Sequence, residues 1–276
     1  YQPGDLRYHF EPEFAKKQLN EATQAQVKQF YDQFFVTDHA QIAVTGDFDP
    51  KKMQNTLQKA FGQWKTKQPY QKITSPYVQF KAEKVHALSE QREFGSYQSI
   101  LTIPVGAYHQ DAPALILLSH IMGNSQLSSR LAQELREKNA LVYGFWSDLD
   151  LDSDTESGSI SITANYTAGR SDQVSQSVHK VLTDLLSKGV TEQEVEAAKA
   201  DIMKKRVTSL EDERNIHKML TGQLERNKTL MDRAERDQAL AKLTKADVDA
   251  VIKKYIKLDQ FVEVMADQYG KAQDLK

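Results

Sequence analysis

Arg136 and Tyr143, seven positions apart, bracket most of the stretch LREKNALVYGFWS at residues 135–147. The stretch begins with good helix formers and finishes with strand formers. Its two chemically capable side chains therefore lie on either side of one helix-to-strand turn. A guanidinium offers a planar fork of donors that suits carboxylates and peptide carbonyls. A phenol offers one directed donor. Together they can hold an extended peptide or a developing oxyanion. Neither abstracts a proton or binds a metal, so the pair can assist a catalyst without being one. The spacing also has an ordinary reading. A cation near a helix C-terminus is favoured by the macrodipole, and tyrosine suits a strand.

The other reactive residue types form no complete local set. None of the seven histidines (His9, His39, His86, His109, His120, His179 and His217) has another at i,i+4, and His-x-x-Glu-His is absent. A zinc site on one helix is therefore not expected. His120, on an apolar segment, reads as a hydrogen-bonded core or edge histidine. There is no cysteine and no Gly-x-Ser-x-Gly, which removes thiolate ligands and the nucleophile elbow. The serines of GNSQLSSR suit a helix terminus, where hydroxyls cap backbone amides. The acidic run Asp148 to Glu156 lacks calcium-loop spacing and reads as a solvated hairpin tip.

Periodicity places these residues on elements. Thr23-x-x-Gln26 forms a capping box ahead of Val27, Phe30, Tyr31 and Phe34 at helical spacing. AQIAVTGDF reads as a buried strand, and Asp49-Pro50 starts a helix with Met53, Leu57, Ala60 and Trp64 on its inner face. Residues 65–76, polar with two prolines, are a linker. YVQFKAEKV and YQSILTIPV read as strands, and DAPALILLSHIMG, apolar nearly all round, as a buried helix. A polar helix follows at 127–138. LVYGFWSDL and GSISITANYT form an antiparallel hairpin. Further helices carry Val174, Val178, Val181 and Leu185 inside, start at Thr191-x-x-Glu194 and Thr244-x-x-Asp247, and precede a last strand, QFVEVMAD.

Composition excludes several classes. With 276 residues, 39% hydrophobic and 27% charged, the chain reads as globular, and a net charge of −2 supplies no basic field for nucleic acid. No apolar run reaches the roughly 18 residues of a membrane span. The first residue is Tyr1, with no signal-peptide pattern, so the chain reads as a fragment or processed form. The end also echoes the beginning. Thr23, Val27, Phe34 and Asp38 align with Thr244, Val248, Tyr255 and Asp259, and after a one-residue gap Val44 and Asp47 align with Val264 and Asp267. Either this is the common helix-then-strand pattern or the domain is duplicated. On the second reading residues 1–75 are the tail of a preceding homologous domain plus linker, and 76–276 are a complete copy.

The segment GNSQLSSRLAQELREKNALVYGFWS resembles one found in the insulinase/pitrilysin (inverzincin-type) zinc peptidases, at Gly123, Ser128, Ser129, Arg130, Leu131, Leu135 to Lys138, Leu141 and Tyr143. YQPGDLRY, VKQFYDQFF with AQIAVTGDFDP, and GVTEQEVEAAKADI resemble other stretches of the same family, which includes bacterial members and the mitochondrial processing peptidase. Ala140 departs from the glycine usual there, which asks the turn to manage without a residue tolerant of positive φ. The resemblance implies an α+β fold, a mainly antiparallel sheet packed by helices, as in LuxS and the mitochondrial processing peptidase. It implies the zinc-free, chamber-closing portion of a bacterial zinc metalloendopeptidase, inactive alone. Zinc would come from another half of the protein or a partner chain, with peptide as substrate and the periplasm as location. Arg136 and Tyr143 would bind substrate, Tyr143 near the carbonyl oxygen that becomes negative. The alternative is a non-catalytic structural or peptide-binding homologue.

Overall fold

The computed structural model describes residues 1–35, 39–64, 70–88, 93–125 and 127–267. Most of the 65–76 linker, and Asp38 of the repeat, lie outside these or in stretches without regular structure. In chain order the elements are α1 (Pro12–Glu21), α2 (Gln24–Phe34), α3 (Pro50–Phe61), β1 (Glu83–Leu88), β2 (Phe94–Ile103) and α4 (Ala112–Ser119). Then come α5 (Arg130–Ala132), β3 (Val142–Leu151), β4 (Gly158–Thr167), α6 (Ser171–Lys188) and α7 (Glu192–Thr208). The last are α8 (Glu213–Glu225), α9 (Leu230–Lys242), α10 (Lys245–Tyr255) and β5 (Val262–Asp267). Two π-helical turns, His120–Asn124 and Gln133–Lys138, extend α4 and α5. None of the helices described is long and apolar enough to cross a membrane.

The chain forms two compact units, Tyr1–Ser75 with Thr208–Thr229, and Pro76–Val207 with the chain from Leu230 onward. The second unit is built on one five-stranded sheet of order β1-β5-β2-β4-β3. Three of its pairings are antiparallel and one, β1 with β5, is parallel. This is the expected α+β arrangement. The helices α4 and α6 pack against the sheet, with α9 and α10 behind them. Strand side chains alternate faces. Tyr97, Leu101 and Ile103 of β2 and Ile160, Ile162, Ala164 and Tyr166 of β4 are buried against the helices. The opposite set stays wholly or partly exposed, so the sheet has one sealed face and one open face.

A buried polar cluster ties the sealed face to α6. The Glu263 carboxylate accepts from Tyr97 Oη at 3.0 Å and Ser175 Oγ at 2.9 Å, and His179 Nε2 lies 2.6 Å away. Burial works to raise the Glu263 pKa. The hydrogen bonds from His179, Ser175 and Tyr97 overcome that and hold it low. The same burial, and then the nearby Glu263 charge, push the Tyr97 phenol well above its ordinary value.

The first unit has helices where expected. Thr23 and Gln26 complete the capping box, and Asp49 Oδ1 accepts from the amides of Lys51 and Lys52. Three expectations are corrected. AQIAVTGDF forms no strand, because no strand among the described residues pairs with it. Ala60 is exposed, while Met53, Leu57 and Trp64 are half-buried. In the second unit, β1 begins only at Glu83, later than YVQFKAEKV suggests, since pairing with β5 spans Glu83 to Leu88.

Candidate functional site

The turn that carries Arg136 and Tyr143 is held from below by buried side chains. Ser129 caps α5, its hydroxyl accepting from the Ala132 amide at 3.3 Å. Arg130 then grips the loop before α7. Its Nε and Nη2 donate to the two carboxylate oxygens of Glu194, each at 2.8 Å, and Nη2 also reaches the Gly189 carbonyl at 2.8 Å. This bidentate pair makes Arg130 an anchor. Leu131 and Leu135 are fully buried. Gly123 lets the first π turn approach β3, since a Cβ there would lie 2.3 Å from Ser147 Cβ.

Glu134, also buried, fixes the end of the segment. Lys180 Nζ donates to it at 2.5 Å, and Asn139 Nδ2 donates to its carbonyl at 2.8 Å. The Lys180 hydrogen bond, working against burial, holds the Glu134 carboxyl below the usual range. The helix stops at Ala140, whose φ of 46° lies in the left-handed region. The next amide, Leu141 N, donates back to the Leu135 carbonyl at 2.8 Å, and Arg170 donates to the Ala140 carbonyl at 3.2 Å. The departure from glycine thus falls on a residue in the conformation that favours glycine.

Arg136 and Tyr143 both reach the surface at this turn. Tyr143 is 66% exposed. Its hydroxyl is 3.0 Å from Thr167 Oγ1, and its ring meets Phe94 edge-on at 5.2 Å and 82°. A bulge between Val142 and Gly144 shifts the register against β4. Tyr143 and Trp146 are three residues apart, so a regular strand would face them oppositely. With the bulge both emerge on the open face, and Phe145 between them is fully buried. Phe94 and Trp146 escaped the sequence reading. Their association with Tyr143 follows from the bulge and the strand order, and neither has a local signature.

The remaining candidates resolve as structure. His120 Nε2 is 3.0 Å from Asp201, the expected hydrogen-bonded histidine, and burial lowers its pKa against the pull of that carboxylate. Asp152 Oδ1 accepts from the amides of Asp154 and Thr155, a self-closed turn at the acidic tip. Gln126 of GNSQLSSR lies outside the described residues, and Ser125 and Ser128 Oγ are 2.7 Å apart. Among the described residues no three His, Asp or Glu side chains gather as metal ligands. The histidine–carboxylate contacts are pairs, so the donor set does not fit a zinc centre.

The sequence profile of the peptidase M16 inactive domain matches residues 21–202, well over half the chain. The uncharacterized zinc protease YmxG of Bacillus subtilis (strain 168) is 26% identical over 185 residues, 67% of this chain and 43% of that protein. The chain therefore spans less than half of that relative's length. The peptidase M16 inactive domain of Pseudomonas fluorescens superimposes with a TM-score of 0.77 at 22% identity, covering 91% of this chain and 58% of that one. A protease from Helicobacter pylori gives 0.78 at 20% identity, covering 91% and 60%. These structures share the fold. The chain belongs to the peptidase M16 inactive-domain family.

Proposed function

We propose that this chain is the substrate-gripping, chamber-closing portion of a bacterial zinc metalloendopeptidase, with the periplasm as its location. Zinc and the water it activates belong to a different half of the same protein or to a partner chain. Residues 1–75 are on this reading the tail of a preceding homologous domain. The observation that carries the proposal is the turn from Arg136 to Tyr143. Its anchors, Arg130, Glu134, Leu135 and Leu141, are buried or half-buried, while Arg136 and Tyr143 are exposed residues. A turn built only for stability has no need to keep an arginine and a tyrosine exposed on either side of so firmly anchored a backbone.

In this arrangement Arg136 donates to carbonyls or a carboxylate of an extended peptide lying along β3. Tyr143 donates to the carbonyl oxygen as it gains negative charge. Removing one such donor typically costs about 10²–10³ in kcat. Tyr143→Phe in the zinc-bearing protein should lower kcat on that scale. Its melting temperature should barely move, because only the exposed hydroxyl contact with Thr167 is lost. Peptide turnover equal to the unsubstituted protein would end the assignment. Arg136→Ala should reduce kcat/KM without unfolding the exposed turn.

A further inference from the structure

Three exposed rings form a row on the open face of the sheet. Phe94, on β2, is 53% exposed and lies edge-on to Tyr143. Trp146, 49% exposed, folds back over Gly144, where a Cβ would sit 3.4 Å from the indole Cη2. Of the two residues between the β3 aromatics, Phe145 is buried and Gly144 puts no side chain between the rings. On β4 the row is bordered by Thr163, Asn165 and Thr167, which pair with Trp146, Gly144 and Phe94. Further along β3, Asp148 and Asp150 share the open face, paired in register with Ser161 and Ser159. Both are exposed, and no described cation pairs with either.

Exposed tyrosine and tryptophan side chains gathered beside polar groups are favoured binding material, because they bury much area with little loss of freedom. We propose that this row is a specificity subsite. Phe94, Tyr143 and Trp146 receive a bulky apolar side chain of an extended peptide, and Asp148 and Asp150 receive a basic side chain beyond it. Four residues of strand span about 13 Å, so the two preferred side chains stand two to four residues apart. The charge of the carboxylates selects a peptide over an uncharged apolar partner and orients it along β3. The inference rests on the reading of this chain as a substrate-gripping portion. It adds which substrates are gripped.

The chain contains two tryptophans, Trp64 and Trp146. Trp64→Phe therefore makes Trp146 the reporter on this surface. The whole 276-residue chain carrying that change is titrated with acetyl-Gly-Phe-Thr-Ala-Ser-Arg-Gly-amide and two variants, one with Ala for Phe and one with Glu for Arg. The expected result is a change in indole emission and binding at least about tenfold tighter for the parent peptide than for either variant. Phe94→Ser should erase the preference for Phe. Asp148→Asn with Asp150→Asn should erase the preference for Arg. All three sites are exposed, and a thermal melt confirms folding. Equal affinity for the three peptides, or an unresponsive indole, overturns the proposal. So does a Trp146→Ser chain that loses self-association in sedimentation with no change in peptide binding. Tyr143→Phe separates the two readings, because it keeps the ring and removes the donor. Intact preference with normal turnover supports the subsite while removing the oxyanion role. Lost turnover with no preference does the reverse.

Discussion

Helices α2 and α10 begin with the same capping box and carry apolar residues at the same four offsets, yet one is bare and the other sealed. Val27, Phe30, Tyr31 and Phe34 are between 46% and 65% exposed. Their counterparts Val248, Val251, Ile252 and Tyr255 are 6% exposed or less. Both caps close fully, Thr23 with Gln26 and Thr244 with Asp247. The difference lies in what each face meets. In the second unit α4 and α6 pack against α10, and β5 runs between β1 and β2. In the first unit the α2 rings meet mainly one another and the end of α3, as in Phe30 with Phe34 at 5.0 Å and Tyr31 with Trp64 at 6.0 Å. A capping box and an apolar stripe specify a helix and its sticky side. They do not supply the layer that covers it, and that layer provides most of a helix's stability. The bare face supports the proposal that residues 1–75 complete a domain whose sheet lies elsewhere.

The largest test takes one residue from each face. Ile252→Ala should cost about 2–5 kcal/mol, the usual range for emptying a packed site. Phe30→Ala should cost less than about 1 kcal/mol, because its ring is already wet. Urea denaturation of the two variants reads the difference directly. Equal losses would mean that α2 is covered in solution, and the contrast would fail.

Acid sharpens the contrast next. Glu263 is buried and held below its unfolded pKa, so it contributes stability that is present above the unfolded value and lost as pH falls through the folded one. Glu263→Gln removes a charge-assisted acceptor from Tyr97, Ser175 and His179 and should cost about 1–3 kcal/mol near neutrality. That deficit should shrink as pH falls from the ordinary glutamate range, about 4.3, through the lower value that Glu263 holds in the native state. In the first unit Asp5 is likewise held low, by its hydrogen bond from the Arg7 side chain, but at the surface. Asp5→Asn should give a much flatter difference between pH 7 and pH 3.5. A deficit for Glu263→Gln that is constant with pH would show that the carboxylate charge contributes nothing there.

What could be read from the residues follows the same division. Capping boxes at Thr23, Thr191 and Thr244 are closed by neighbours three residues away, so they were legible. The β3–β4 hairpin was legible because its acidic tip is short and the two alternating runs are adjacent. The parallel pairing of Glu83–Leu88 with Val262–Asp267 joins distant segments and left no local mark. AQIAVTGDF alternates as well as β5 does, but alternation cannot reveal that no strand among the described residues pairs with it. At the candidate site, Arg136 and Tyr143 stood out because one turn and one family-like segment hold them both. Phe94 was invisible because it reaches Tyr143 only through the order β2-β4-β3. Trp146 went unnoticed because only the bulge at Tyr143 brings that residue's ring to the same face as the indole.

Ala140 tests the converse of α2, a place where surrounding structure overrules local preference. Its left-handed φ of 46° strains any residue with a Cβ, and about 1–2 kcal/mol is the usual penalty. The conformation persists because buried Leu135 and Leu141 flank it, joined by their backbone hydrogen bond, and Arg170 holds its carbonyl. Ala140→Gly relieves the strain but gives the unfolded chain more freedom, which offsets part of the gain. The net change should be a stabilisation of about 0.5–1 kcal/mol, read as a higher urea midpoint with an unchanged slope. A neutral or destabilising result would show that the turn is unstrained. The packing on either side would then not be what sets the direction in which β3, and Tyr143 with it, leaves the helix.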